Sequence, residues 1–137
     1  METRLRALIV EDYPDAGKVL ALQVIRNYEA IIREDGLQAH EYLQAHPGEI
    51  NLLLASWESA HDRKKTLPEG VIEIAHEQRI PIILMTTNPD EEHTQYLSNK
   101  YIVSVLVKPF TLEELLDEIH RAIVLQAQIN RLSTLTQ

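Results

Sequence analysis

Two adjacent carboxylates, Glu11 and Asp12, follow directly on an apolar run at residues 7–10. A second run, at 52–55, leads into Ser56, Trp57 and Glu58. A third, at 82–85, ends in Thr86 and Thr87, and a fourth, at 105–107, in Lys108, Pro109 and Phe110. If these runs are parallel strands, all four groups share the carboxyl edge of one sheet, where open α/β sheets take their ligands. The set suits a hard cation such as Mg²⁺ together with a phosphoryl group. Carboxylates hold such a metal, while a lysine and a hydroxyl meet phosphate oxygens.

The elements that must position these residues are legible in the hydropathy pattern. Five short runs, at 7–10, 30–32, 52–55, 82–85 and 105–107, are nearly continuous rather than alternating, as in strands buried on both faces. Helical spacing fills the gaps: Val19, Leu20, Leu22, Val24 and Ile25; then Leu37, Ala39, Tyr42 and Leu43; then Val71, Ile72, Ile74 and Ala75. A weakly amphipathic stretch at 89–99 predicts the fourth helix, and a long one from Thr111 past Ile123 the last. Strand and helix alternating five times predict a parallel sheet covered on both faces. The punctuation agrees. Pro47-Gly48 closes the second helix, Pro81 opens the fourth strand, and Thr111 with Glu114 has the spacing of a capping box. Residues 59–68 read as an exposed loop carrying Arg63, Lys64 and Lys65, a triplet best read as solvated.

Composition narrows the functions further. The 137 residues are one domain's worth, with 45% hydrophobic and 25% charged residues. Cysteine is absent, which removes disulfides, thiolate nucleophiles and cysteine-rich zinc sites. Thirteen basic against 21 acidic residues give a net charge of −8, a surface that repels nucleic acid and anionic lipid. No apolar run nears the ~18–20 residues of a membrane span, and the first residues lack the pattern of a signal peptide. A cytoplasmic domain is expected. The six histidines make no metal-ligand spacing and read as surface residues, and Trp57 reads as a packing residue.

In this order and at these spacings, the motifs resemble the receiver domain of bacterial two-component response regulators. LIVEDYPD (8–15) is similar to that family's first strand and acidic pair, and GLQAHEYL (36–43) to its second helix. PIILMTT (81–87) resembles its fourth strand and hydroxyl switch, and VKPFT (107–111) its Lys–Pro motif, where the peptide is typically cis. The resemblance implies a flavodoxin-like (βα)5 fold with strand order 2-1-3-4-5, here with an extended C-terminal helix. It implies a receiver-like domain over 1–124 and a helical extension or linker over 125–137. In the family, a histidine kinase passes a phosphoryl group to an aspartate closing the third strand, with Mg²⁺ assisting. Carried over, Glu11 and Asp12 match the metal-binding acids, Thr86 the switch hydroxyl and Lys108 the phosphate-gripping lysine.

The departure is central. The third strand reads NLLLASW (51–57), so Ser56 stands at the phosphoacceptor position. A serine needs a base to attack phosphohistidine, and it removes one anionic metal ligand. Val105 stands where active receivers often carry a switching Tyr or Phe, and the loop from Ser56 to Gly70 is longer than the family's usual one. The expectation is therefore an atypical, pseudo-receiver domain, not an enzyme, that works through contacts with signalling proteins (a histidine kinase or an output domain). It requires no cofactor and binds Mg²⁺ weakly at Glu11 and Asp12. The alternative is a conventional phosphorelay receiver using Glu58 or another acid. A Ser56–Lys108 hydrolase is a third reading, against which stands the missing G-x-S-x-G elbow; a small ligand in the vacated pocket is a fourth. Finally, Leu125, Ile129 and Leu132 follow at steps of four and three, the spacing of a helix seam, and predict a homodimer through the last helix.

Overall fold

Leu5–Val10 (β1) enters the structure exposed and becomes wholly buried from Ala7 onward. The computed structural model describes residues 4–56, 69–87 and 103–135. After β1 come Pro14–Val24 (α1), Tyr28–Arg33 (β2), Gly36–Ala45 (α2) and Leu52–Ser56 (β3). Glu69–Glu77 (α3), Ile82–Thr86 (β4), Val103–Val107 (β5) and Leu112–Leu135 (α4) complete the elements among the described residues. The expected helix at 89–99 and the expected loop at 59–68, with Trp57 and Glu58, lie outside the described residues.

All five strands are parallel, in the order β2-β1-β3-β4-β5, the doubly wound flavodoxin-like arrangement. The three central strands are apolar at nearly every position because both of their faces are covered. Alternate residues divide between two cores. Leu8, Val10, Leu53, Ala55, Ile82 and Leu84 pack with Ala39 and Leu43 of α2 and Val71, Ile72 and Ala75 of α3. Ala7, Ile9, Leu52, Leu54, Ile83, Met85 and Leu106 pack with Leu20 and Val24 of α1 and Leu115, Ile119 and Ala122 of α4. Gly17 lets α1 lie close to β2, since a Cβ there would stand 3.2 Å from Ile32 Cγ2.

The helix ends follow local chemistry. Thr111 caps α4 reciprocally: its hydroxyl accepts from Glu114 N at 3.1 Å, and Glu114 Oε1 accepts from Thr111 N at 3.1 Å. Asp35 caps α2 by accepting from Gln38 N at 2.9 Å. Beyond α3, Ile80 N donates to Ala75 O and Arg79 N to His76 O, a closing turn that puts Arg79 at φ 60°. The last helix is continuous across residue 124. Along the expected seam, Leu125 and Leu132 are exposed and Ile129 is half-buried. No helix among the described residues is long and apolar enough to cross a membrane.

Candidate functional site

Parallel register brings the strand ends level. Ser56 pairs with Met85, and Met85 with Leu106, so the residues just past them meet at one rim. Alternation then sorts the side chains. Glu11 continues the Ala7, Ile9 series, Ser56 the Leu52, Leu54 series, and Lys108 lies two beyond Leu106, so all three fall on the side covered by α1 and α4.

There the three side chains close on one another. Glu11, 4% exposed, accepts a hydrogen bond from the hydroxyl of Ser56, which is 1% exposed. Lys108 Nζ donates to Ser56 Oγ at 2.9 Å and stands 3.6 Å from Glu11 Oε2. The other carboxylate oxygen, Oε1, accepts from Tyr13 N at 3.1 Å, and Glu11 N donates to Arg33 O at 2.9 Å. Glu11 is thus a buried carboxylate with both oxygens engaged and a cation beside it, the condition under which a buried charge is tolerated.

Lys108 is held from its backbone as well. Its N–H donates to Thr86 O at 2.6 Å, and its peptide to Pro109 is cis. Thr86 is itself 1% exposed at the end of β4, and Asp12 is half-buried beside Glu11. Val105 packs partly buried against the opposite core, with Ile31, Tyr42 and Ile74 as the other residues at its margin. The sequence-derived set therefore divides. Glu11, Ser56 and Lys108 meet side chain to side chain, Thr86 joins through its carbonyl, and Val105 serves packing.

The third strand offers a hydroxyl in place of an anion, and that hydroxyl already donates to the Glu11 carboxylate. Among the described residues, no group of three His, Asp or Glu side chains is gathered as a metal requires. Tyr13 N, which fixes the carboxylate from below, is a contact that the pattern of residue types alone does not reveal. Beside the site runs a cleft of about 430 Å³ between α1 and the β5–α4 turn, walled by Val19, Leu20, Met85, Pro109 and Phe110.

Comparison with known proteins bears on the fold. No family model matches the sequence. A sensor histidine kinase, TmoS of Ectopseudomonas mendocina, is 30% identical over 110 residues, which are 80% of this chain and 11% of that protein. The chain thus spans about a tenth of that relative's length. Among solved structures, the signal receiver domain of an HD domain-containing protein from Pseudomonas fluorescens Pf-5 superposes with a TM-score of 0.73 at 21% identity, over 92% of this chain and 99% of that one. The chemotaxis protein CheY4 of Vibrio cholerae superposes at 0.73 with 22% identity, over 88% and 99%. A response regulator receiver domain protein from Clostridium thermocellum does so at 0.73 with 14% identity, over 91% and 98%. The chain has the fold of signal receiver domains.

Proposed function

We infer that this chain is a receiver-type module of two-component signalling that works through protein contacts and takes up no phosphoryl group. The observation that carries the reading is Ser56 at the end of β3, its hydroxyl held between the Glu11 carboxylate and the Lys108 ammonium. A phosphoryl acceptor must be a nucleophile open to its donor. Ser56 is buried, and its hydroxyl is already taken up by Glu11 and Lys108. The Glu11 carboxylate is engaged in an ion pair with Lys108, whose Nζ is also taken up by Ser56 Oγ. The burial of Ser56 argues against a Ser–Lys hydrolase, although the two side chains do meet. Mg²⁺, in this reading, binds weakly and is not required, because the acids available to it are one paired glutamate and Asp12. The partners proposed are a histidine kinase or an output domain, in keeping with the sensor histidine kinase among the sequence relatives.

The test is exposure to acetyl phosphate and to beryllofluoride, each with Mg²⁺. The expected result is an unchanged intact mass and unshifted amide resonances around Thr86. A stable phosphoryl adduct, or beryllofluoride-dependent shifts at Thr86, would overturn the reading.

A further inference from the structure

The amino edge of the sheet, opposite the rim that carries Ser56, has a cavity of its own. There β1 begins at Leu5 and β2 at Tyr28, and the two residues are register partners. Leu116, Ile119 and Ile123 of α4 and Val24 of α1 wall a hollow of about 340 Å³ beside them. A second hollow, of about 260 Å³, runs past Asn51, Pro81 and Gln126. Leu5, Tyr28 and Ile123 line both, so the two hollows adjoin at Tyr28.

Tyr28 is 5% exposed, and its hydroxyl makes no hydrogen bond among the described residues. A buried phenol ordinarily finds a partner, because a hydroxyl taken from water and left unmet costs free energy. The ring packs in an apolar core, so what meets the hydroxyl has to stand in the hollows that Tyr28 lines. The lining selects the chemistry of that occupant. No Asp, Glu, Lys or Arg borders the larger hollow, and its other polar residues, Asn27 and His120, are exposed. An ion would enter without a counter-charge, whereas a neutral molecule with an apolar body covers the aliphatic walls. The volume falls in the range of ligand pockets, about 300–1,000 Å³, and is roughly twice that of a cavity that holds benzene. Water alone fits less well, since a buried water takes about two to four polar partners and the depth of this hollow offers one.

We propose that the amino-edge hollow is a binding site for a small uncharged molecule with an aliphatic body and one hydrogen-bond acceptor, a ketone or ether oxygen, to which the Tyr28 hydroxyl donates. The site stands at the end of the sheet away from Glu11, Ser56 and Lys108. It is independent of phosphate chemistry, and the proposal stands or falls apart from that reading.

Titration of the intact chain with cyclohexanone, followed through its amide resonances, provides the test. Methylenecyclohexane serves beside it as an isostere of the same shape that lacks the acceptor. Cyclohexanone is expected to shift Leu5, Tyr28, Leu116 and Ile123 saturably at millimolar concentration, while Leu43 and Ala75 in the opposite core stay still. Tyr28→Phe weakens the ketone about fivefold, the worth of one neutral hydrogen bond, and leaves the hydrocarbon within about twofold. Leu116→Trp, at a position 41% exposed, fills the hollow from its rim and abolishes binding of both, with the circular dichroism spectrum intact. Absence of saturable shifts at about 20 mM cyclohexanone overturns the proposal. So does an equal response of the two probes to Tyr28→Phe, which would mean that the hydroxyl plays no part, and so does binding that survives Leu116→Trp.

Discussion

Lys108 Nζ reaches Ser56 Oγ at 2.9 Å across the whole width of β4, which lies between their strands. The two residues are 52 positions apart, and the contact exists because the parallel register of β3, β4 and β5 brings their ends level. With Glu11 as the third member, the rim of the sheet is tied across four neighbouring strands, β1, β3, β4 and β5.

The members of that tie are energetically coupled. Lys108→Met leaves the Glu11 carboxylate buried without its cation. Stranding one partner of a fully buried pair costs about 3–5 kcal/mol, but Lys108 is one-third exposed and water compensates part of the loss. A loss of about 1–3 kcal/mol by urea denaturation is expected. Glu11→Gln in the Lys108→Met background should then cost far less than Glu11→Gln alone. Additivity within about 0.5 kcal/mol would show that the two side chains do not interact.

Ser56→Asp reverses the electrostatics. It sets a second carboxylate against Glu11, so the metal-free variant is expected to melt below the wild type. The added anion also supplies what a divalent cation lacks here, since affinity rises with ligand charge count. Millimolar Mg²⁺ should therefore raise the melting temperature of Ser56→Asp and leave that of the wild type nearly unchanged. Equal responses in the two proteins would mean that Ser56 does not face the acidic pair.

Much of this was legible in the sequence, and the alternation rule shows how far. The runs ending in Val10, Ala55, Met85 and Val107 gave the strands and hence the rim on which Glu11, Ser56, Thr86 and Lys108 stand. The strands begin earlier than their apolar runs, at Tyr28 and Val103, because hydrogen-bonding register continues past residues such as Glu29 and Ser104 that break the hydrophobic signal. Counting by twos from Ile9, Leu54 and Leu106 would also have put Glu11, Ser56 and Lys108 on one face. It could not have shown the Glu11 carboxylate turned inward onto a hydroxyl and a backbone N–H, because that depends on rotamers that only the packed neighbours select. The cap of α2 has a signal in the sequence as well: Asp35 stands three residues before Gln38, the spacing of an N-cap.

Arg79 gives a backbone prediction. At φ 60° it occupies the left-handed region, which costs a residue with a Cβ roughly 1 kcal/mol. Its side chain is exposed, so little packing is lost on truncation. Arg79→Gly should stabilise the domain by about 0.5–1 kcal/mol, the gain at this turn exceeding the added freedom of the unfolded chain. A variant less stable than the wild type in chemical denaturation would mean that the Arg79 side chain makes a contact worth more than the strain.

Tyr28 gives a pH dependence whose sign follows from burial. It opens β2, is 5% exposed, and packs in the core shared by α1 and α4. Burial penalises the phenolate and raises the Tyr28 pKa above its ordinary value of 10.0. Below pH 10 the phenol is protonated in folded and unfolded chains alike, so it adds no pH dependence. Above that value the unfolded chain gives up the proton while the folded one keeps it. Stability then falls as pH rises, by at most about 1.4 kcal/mol per pH unit, until the folded pKa is reached. Tyr28→Phe has no such proton to lose. The stability difference between wild type and Tyr28→Phe should hold constant from pH 7 to about 9.5 and shift in favour of the variant by about pH 11, with the lysines and other tyrosines cancelling in the comparison. A difference that stays flat through pH 11 would mean that the Tyr28 hydroxyl is solvated in the folded protein.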